Sequence, residues 1–217
     1  MGVTTVATKA IFAGGCRPIP CIPYGTVDTY DDAAGVWPRD TLSEARFGLA
    51  ATAVGTTTVF AGGLNRNTID MQGASIGTVY CSPAVANSTG FHATLEAQGA
   101  PGSAAQGNAV LSSTGLPPHS FGMFLASRSQ GSVASPGGSQ GHLCLGGSIG
   151  RFNDPSQVVG SGPSGRFQLC LDLTQLPQPM GTASVQSGET WNFQAWYRDA
   201  NPTPTSNFTS AISVTFH

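Results

Sequence analysis

A short segment ending in two glycines occurs twice in this chain of 217 residues, and its spacing limits the possible folds more than any other feature. Residues 11–15 read IFAGG, and residues 59–63 read VFAGG, 48 positions later. We find no third copy. A glycine pair allows a β-strand to end tightly and a neighbouring strand to come close. The repeat therefore predicts a strand before each glycine pair.

A period of 48 residues lies in the range of β-propeller blades. A complete propeller needs about four to eight blades, and this chain carries one complete repeat and the edge of another. We therefore expect the first third of the chain to be an incomplete propeller. Either the chain is a fragment of a longer protein, or it is the C-terminal end of one whose upstream blades were lost. The exposed strand edges of such a segment are expected to be adhesive.

Composition points to the same fold class. Only 9% of the residues are charged, against roughly 25% in soluble domains, and there are 29 glycines and 15 prolines. With strand-like alternation along most of the chain, this predicts an all-β, loop-rich protein. A net charge of −2 without a basic stripe argues against a nucleic-acid partner. No apolar run approaches the length of a membrane span, and the N-terminal residues lack the pattern of a secretory signal.

The strand pattern changes near residue 81 and predicts three segments. Residues 1–71 carry the repeat, residues 72–80 form a linker, and residues 81–217 form a second domain. Seven short strands separated by turns predict an antiparallel β-sandwich there. They are expected at residues 93–98, 108–113, 122–127, 143–145, 166–173, 190–198 and 211–216. In the first segment we expect strands at residues 8–13, 26–30 and 36–38, and a hairpin of 48–54 with 57–61.

The first segment resembles a kelch repeat. Residues 27–31 read VDTYD, residues 35–37 read GVW, and residues 45–51 read ARFGLAA. The positions that carry the resemblance are Gly14, Gly15, Tyr30, Trp37, Arg46, Gly62 and Gly63. The resemblance implies that the two aromatic residues pack between blades and that Arg46 binds loop carbonyls or an acidic partner, rather than that they line a site. It assigns ligand binding to the loops, of which residues 16–25 are the best candidate.

The second domain resembles a C-terminal module of large secreted bacterial proteins, most of unknown function. The resembling segments are residues 80–90 (YCSPAVANSTG), 137–147 (GGSQGHLCLGG) and 189–209 (ETWNFQAWYRDANPTPTSNFT). The resemblance implies a secreted or cell-surface location and brings no established activity. Two sequons, at Asn87 and Asn207, would accept glycans only in a secretory eukaryotic setting.

Five cysteines and a low charge favour an oxidising, extracellular setting. Cys16 and Cys21 flank a proline-rich loop and are able to close a small disulfide. Cys81 and Cys144 lie beside strand-like runs and are the other disulfide candidates. The odd count leaves one thiol, and Cys170 lies on the more polar face of its strand. The alternative is a set of buried free thiols.

The strand expected at residues 190–198 holds the richest candidate binding site. Alternation places Trp191, Phe193, Ala195 and Tyr197 on one face, which should point to the core. The other face carries a polar strip with one aromatic ring, able to stack on a sugar and bond its hydroxyls: Asn192, Gln194, Trp196 and Arg198. The structural alternative is that the loop 201–204 covers Trp196 and that Arg198 pairs with Asp199 or Asp172.

No residue pattern indicates catalysis. The four histidines lack metal-binding spacing, and neither a phosphate-binding loop nor a glycosidase pair of carboxylates is apparent. Asp28, Asp31 and Asp32 are able to ligate calcium, but aspartates in turns also bond to nearby backbone. We therefore expect no metal and no cofactor.

We interpret the chain as a non-catalytic extracellular binding or structural module, a fragment of a larger secreted kelch-repeat protein. A protein or a carbohydrate would be its ligand. Two alternatives stay open. One is an accessory region of a secreted enzyme such as a kelch-type oxidase, although no copper-ligand set of Tyr and His is visible. The other is a carbohydrate-binding module that uses Trp196.

Overall fold

The computed structural model describes residues 1–6, 8–17, 20–54, 57–64, 68–73, 75–102, 108–201 and 203–217. The predicted all-β fold is confirmed, because these residues form 21 β-strands and one short 3₁₀ turn at Pro136–Gly138. The chain divides into two compact units, Met1–Ala74 and Ser75–His217. No helix in the described part of the chain is long and apolar enough to cross a membrane.

The first unit consists of two antiparallel sheets. Its strands are β1 (Gly2–Val6), β2 (Lys9–Cys16), β3 (Pro23–Asp31), β4 (Arg39–Thr41), β5 (Ala50–Val54), β6 (Thr57–Ala61) and β7 (Ile69–Gln72). Sheet A has the order β1-β2-β3-β4, and sheet B has the order β5-β6-β7. The predicted hairpin is present as β5 and β6. The strand expected at residues 36–38 lies slightly later, as β4, and β7 has no counterpart among the predicted strands.

The two sheets are built from one repeat. Strands β1 and β2 precede β5 and β6 by 48 residues, and GVTTV of β1 aligns with AATAV of β5. The cross-strand register is shared as well, since Phe12 pairs with Asp28 and Phe60 pairs with Asp70. Strand β7 is therefore the counterpart of β3. The repeat extends beyond the glycine segments to three strands of each sheet.

The two glycine pairs have the same backbone conformation. The φ angle is 60° at Gly14 and 69° at Gly62, and it is 133° at Gly15 and 125° at Gly63. Glycine adopts these positive values without the steric cost that a Cβ brings. A Cβ on Gly14 would also collide with the carbonyl oxygen of Arg46, which accepts a hydrogen bond from the Gly15 N–H at 2.9 Å. Backbone conformation and close packing both require glycine here.

Sheet A packs on sheet B through one face of each. We call the face that carries Ile11 in sheet A, and its counterpart Val59 in sheet B, the front face, and the opposite face the back face. The front face of sheet A meets the back face of sheet B, where Phe60 is 1% exposed. The buried core between them consists of Ile11, Ala13, Val27, Leu42, Leu49 and Phe60.

The second unit contains the remaining fourteen strands. They are β8 (Ser75–Ile76), β9 (Thr78–Tyr80), β10 (Thr94–Ala100), β11 (Asn108–Thr114), β12 (Phe121–Ser127), β13 (Ser129–Ala134), β14 (His142–Gly146), β15 (Gly150–Arg151), β16 (Val159–Gly160), β17 (Phe167–Cys170), β18 (Leu176–Pro177), β19 (Thr182–Ala183), β20 (Thr190–Ala200) and β21 (Pro204–Thr215). All seven strands expected in this region are present, with shifted ends.

Two antiparallel sheets enclose the core of the second unit, as in a β-sandwich. Sheet C has the order β17-β11-β10-β8, and sheet D has the order β15-β12-β20-β21-β9 with β16 also paired to β12. Both sheets contribute to one cluster, for example Leu95 and Leu111 from sheet C and Phe124 and Trp191 from sheet D. Strands β13 and β14 form a separate hairpin.

The linker predicted at residues 72–80 is not a free connection in this structure. Residue 72 ends β7, and β8 and β9 pair with β10 and β21 inside the second unit. The division between the units falls after Ala74. These two short strands carry too few residues for an alternation pattern to be recognised.

Four of the five cysteines form two disulfides, Cys16–Cys21 and Cys81–Cys144, one in each unit. The alternative of buried free thiols is therefore wrong. Cys170 takes part in neither bond. Cys170 is exposed as a whole residue. Neighbouring atoms still exclude water from part of its sulfur, which raises the pKa of the thiol.

Both sequons are buried. Asn87 is 3% exposed and Asn207 is 0% exposed. The Asn87 side-chain amide donates to the carbonyl oxygen of Gly115 at 2.7 Å, and that of Asn207 faces the carbonyl oxygens of Val85 and Ala86. In the folded protein, neither amide is open to glycan attachment.

Candidate functional site

Strand β20 divides the predicted binding residues between buried and exposed positions. Trp191, Phe193, Ala195 and Tyr197 are each 0% exposed and belong to the core, as the alternation predicts. The opposite face carries Asn192, Gln194, Trp196 and Arg198, but these side chains do not form one open strip. The first two are buried, Trp196 is partly buried, and Arg198 is exposed.

The buried amides bind the β13–β14 hairpin to sheet D. Gln194 Oε1 accepts a hydrogen bond from the Cys144 N–H at 2.9 Å, and Nε2 donates to the carbonyl oxygens of His142 at 2.9 Å and Thr209 at 2.8 Å. Asn192 bonds in the same way to β12 and β13. Buried polar groups need such partners. The side-chain amides of Asn192 and Gln194 are therefore engaged by the protein itself.

The open end of this face carries two aromatic rings and a cation. The guanidinium carbon of Arg198 lies 5.3 Å from the centre of the Trp196 ring and 5.8 Å from that of Phe121, which is 49% exposed. Attraction between the cation and the ring faces favours this arrangement. We call these three residues the aromatic–arginine surface. Phe121 could not be recognised from the sequence, because only the pairing of β12 with β20 brings it beside Arg198.

Trp196 packs against side chains of three strands of the second unit. Its ring packs against a cluster of Leu125, Leu145 and Phe208, supplied by β12, β14 and β21. In the alternative interpretation the loop 201–204 covers Trp196, and residue 202 of that loop lies outside the described residues. One side of Trp196 is thus anchored, while the Arg198 guanidinium lies over its ring.

The predicted ion pair of Arg198 is absent from the described part of the chain. The Asp199 carboxylate instead accepts hydrogen bonds from two backbone N–H groups, at 3.1 Å and 2.9 Å. Asp172 accepts bonds from the hydroxyl and the N–H of Thr174, which lower the pKa of its carboxyl. The positive charge of Arg198 therefore remains available to a ligand.

Glu189 is held by several donors at the start of β20. Its Oε1 lies 2.7 Å from Arg128 Nη2, and its Oε2 accepts hydrogen bonds from Trp191 Nε1 at 3.0 Å and the Gln186 N–H at 3.1 Å. Burial by itself would raise the pKa of Glu189, but the hydrogen bonds and the Arg128 charge together lower it. These contacts pair the charges of Glu189 and Arg128 and fix the start of β20, so we assign them a structural role.

In the first unit, the back face of sheet A carries an open groove of about 750 Å³. Trp37 is 63% exposed, and its ring centre lies 6.4 Å from that of Phe12 and 4.9 Å from that of Tyr30. The two aromatic residues of the kelch resemblance therefore lie together on one sheet face. The groove is lined by Met1, Phe12, Asp28, Trp37 and Arg39.

Arg46 is buried beside sheet B. It contacts backbone carbonyls and an acidic side chain, the two kinds of partner that the kelch resemblance implies. Its guanidinium donates to the carbonyl oxygens of Glu44 and Phe60, each at 3.2 Å. Its Nη1 also lies 2.6 Å from Asp70 Oδ2 and forms a buried ion pair with it. Asp70 Oδ1 accepts the Ser43 N–H at 2.9 Å. These contacts are structural, because a buried charge is tolerated only when it is matched.

The loop at residues 16–25 is closed at its base by the Cys16–Cys21 disulfide, and residues 18 and 19 lie outside the described residues. Ile22 is 55% exposed and Tyr24 is 41% exposed. The described part of the loop therefore presents apolar side chains to solvent.

The three aspartates considered for calcium have protein partners. Asp28 pairs with Arg39 at 2.7 Å, Asp31 pairs with Lys9 at 3.4 Å, and Asp32 accepts the Tyr30 hydroxyl at 3.2 Å. Across the described ranges, no three His, Cys, Asp or Glu side chains converge on a possible metal position.

Comparison with known proteins finds no family model and no curated protein that matches this chain. The class of the protein is therefore defined by its structure, as an all-β chain of two units with one disulfide in each.

Proposed function

We propose that this chain is a non-catalytic binding or structural module that works outside the cell, as part of a larger secreted kelch-repeat protein. The observation that carries the proposal is the packing of two repeated sheets, front face of sheet A on back face of sheet B. Blades of a propeller follow one another in this manner. The shared conformation of the glycine pairs and the position of Arg46 support the same architecture.

Two disulfides support the extracellular part of the proposal. Such bonds persist in oxidising environments and are rare in the reducing cytosol. Secretion, or display on a cell surface, fits one disulfide in each unit.

The DNA upstream of the codon for Met1 tests this proposal. We expect the reading frame to continue upstream through further segments that end in a glycine pair, at intervals of about 48 residues, and to begin with a secretory signal. A frame that starts at Met1 with no preceding repeat would overturn the assignment to a larger kelch-repeat protein.

Carbohydrate binding is a second candidate, favoured by the aromatic–arginine surface. Aromatic rings stack on the apolar faces of sugars, and the Arg198 guanidinium can donate to hydroxyl or carboxylate oxygens. An acidic sugar would match its charge. Phe121 and Arg198 are the contact residues, and Trp196 supports them from its anchored position.

A glycan array probed with the full chain and with Phe121→Ala tests this second candidate. Loss of at least tenfold in affinity for an acidic glycan is expected for Phe121→Ala and for Arg198→Ala. Phe91→Ala is the matched control, because Phe91 is 67% exposed elsewhere in the second unit. Binding that is absent, or that falls equally with the control, would remove the carbohydrate candidate.

A further inference from the structure

The back face of sheet A and the front face of sheet B carry exposed side chains. The equivalent face of the other sheet is buried in each case. The front face of sheet A and the back face of sheet B are buried against each other. Among the described residues of this unit, no sheet packs in the same way on the back face of sheet A or on the front face of sheet B. Several of their apolar side chains are exposed, although Thr57 on the front face of sheet B is buried. Because the sheets are repeats, the buried contact indicates what each open face is able to bind.

The front face of sheet B closely matches the buried front face of sheet A. Ile69 occupies the position of Val27, since each pairs with the alanine that precedes a glycine pair. Val27 is 3% exposed, whereas Ile69 is 62% exposed. Val54 is likewise 62% exposed at the position of the partly buried Val6. The same kind of apolar surface is thus buried in one sheet and open in the other.

The back face of sheet A matches the buried back face of sheet B. Phe12 is the counterpart of Phe60, and Asp28 is the counterpart of Asp70. Around Phe12 lies the groove of about 750 Å³, with the exposed ring of Trp37 at its side. Val3, which pairs with Phe12 on the same face, is 49% exposed. This face therefore offers an open groove lined by apolar side chains and by the Asp28–Arg39 ion pair, at the position where the back face of sheet B is buried against sheet A.

We propose that copies of this chain associate head to tail through the first unit. The front face of sheet B of one copy docks on the back face of sheet A of the next, and so continues the contact between the two sheets of each copy. When the 217-residue chain is purified alone, the partner that offers a front face of sheet B is a second copy of the chain.

This contact joins two different surfaces, so it does not close on itself as a twofold dimer does. Head-to-tail contacts give rings when the rotation per copy closes and open filaments when it does not. With two sheets per copy, a ring of about four to eight sheets contains about two to four copies. The contact uses only faces of the first unit, so it is independent of the aromatic–arginine surface. It rests on the blade packing taken in the proposed function, and in a longer protein the preceding blades would cover the back face of sheet A instead of a second copy.

Light scattering coupled to size-exclusion chromatography of the full chain tests the proposal. The mass of the wild type is expected to exceed one copy and to rise with concentration in the micromolar range. Ile69→Asp and Val3→Asp should each weaken association at least tenfold, since each places a charge in one open face. Val133→Asp is the matched control, because this valine is also 49% exposed but lies in the second unit. A monomeric wild type, or equal weakening by the control, would overturn the proposal.

A mixing experiment distinguishes this contact from a symmetric one. Ile69→Asp keeps an intact back face on sheet A, and Val3→Asp keeps an intact front face on sheet B. An equimolar mixture should therefore form one-to-one dimers and nothing larger. Far-UV circular dichroism confirms beforehand that both variants are folded. A mixture of folded variants that stays monomeric would rule out head-to-tail docking.

Discussion

The two units cover the faces of their sheets to different extents. In the second unit, sheets C and D share a buried core of 22 described apolar residues, and the β13–β14 hairpin covers part of the outer face of sheet D. In the first unit, six described residues form the core, and in the described part of that unit one face of each sheet carries exposed apolar side chains. Small cores bury a smaller share of their surface and stabilise less. The comparison predicts that the second unit depends mainly on its apolar core, whereas the first depends more on single buried contacts such as the Arg46–Asp70 ion pair.

The largest effect is expected at the ion pair of the first unit. Asp70→Ala leaves Arg46 charged and unpaired in the core, which costs about 3–5 kcal/mol in the free energy of unfolding. Asp28→Ala, at the equivalent position of sheet A, removes only the exposed pair with Arg39 and costs less than about 1 kcal/mol. Hydrogen exchange of β6 and β7 amides, followed by mass spectrometry, measures the first unit separately from the second.

This pair of variants is a sharp test because the two aspartates share one register in the repeat. Similar losses for both would show that burial between the sheets does not distinguish them. In that case sheet A would not cover sheet B in solution.

The disulfides give the next largest contrast between the units. Cys81–Cys144 joins residues 63 apart, and Cys16–Cys21 joins residues 5 apart. Loop-closure entropy predicts losses of about 4 kcal/mol and about 2 kcal/mol when each pair is replaced by serine. Hydrogen exchange should show the larger loss in the second unit and the smaller in the first.

Thiol counting under denaturing conditions checks the premise of that contrast. One reactive thiol is expected, that of Cys170. Five reactive thiols in the purified protein would contradict both disulfides and the proposal that the protein works outside the cell.

The smallest effect concerns Glu189 and acid stability of the second unit. The folded pKa of Glu189 is lower than the usual value for an unfolded chain, about 4.3. Its stabilisation is therefore complete above that pH and is lost as pH falls through the folded pKa. Glu189→Gln should cost less than about 1 kcal/mol at neutral pH and should make the unfolding midpoint less dependent on pH below about 4.

Glu96→Gln is the control for this experiment, since Glu96 is an exposed glutamate of the same unit. The pH dependence of unfolding should change less for this variant than for Glu189→Gln. An equal change in both would mean that the contacts of Glu189 with Arg128 and Trp191 do not stabilise the folded state.

Several features were within reach of sequence reasoning because they depend on local patterns. Alternation placed Trp191 and Tyr197 in the core, and turn sequences separated the long strands of the second unit. The roles of Asn192 and Gln194 were not within reach. Both are polar and lie on the outward side of β20, and only the distant β13–β14 hairpin buries them. Phe121 escaped notice for a similar reason, since its neighbours come from strand pairing.

The sequence by itself determined the all-β class, the repeat of the glycine pairs and the cysteines available for disulfides. These follow from backbone preferences and side-chain periodicity, which act over a few residues. Tertiary structure decided which faces are covered: Val27 is buried and Ile69 exposed, although they occupy equivalent positions. The physical reason is that burial depends on which sheet lies opposite, and residues distant in the chain supply that sheet.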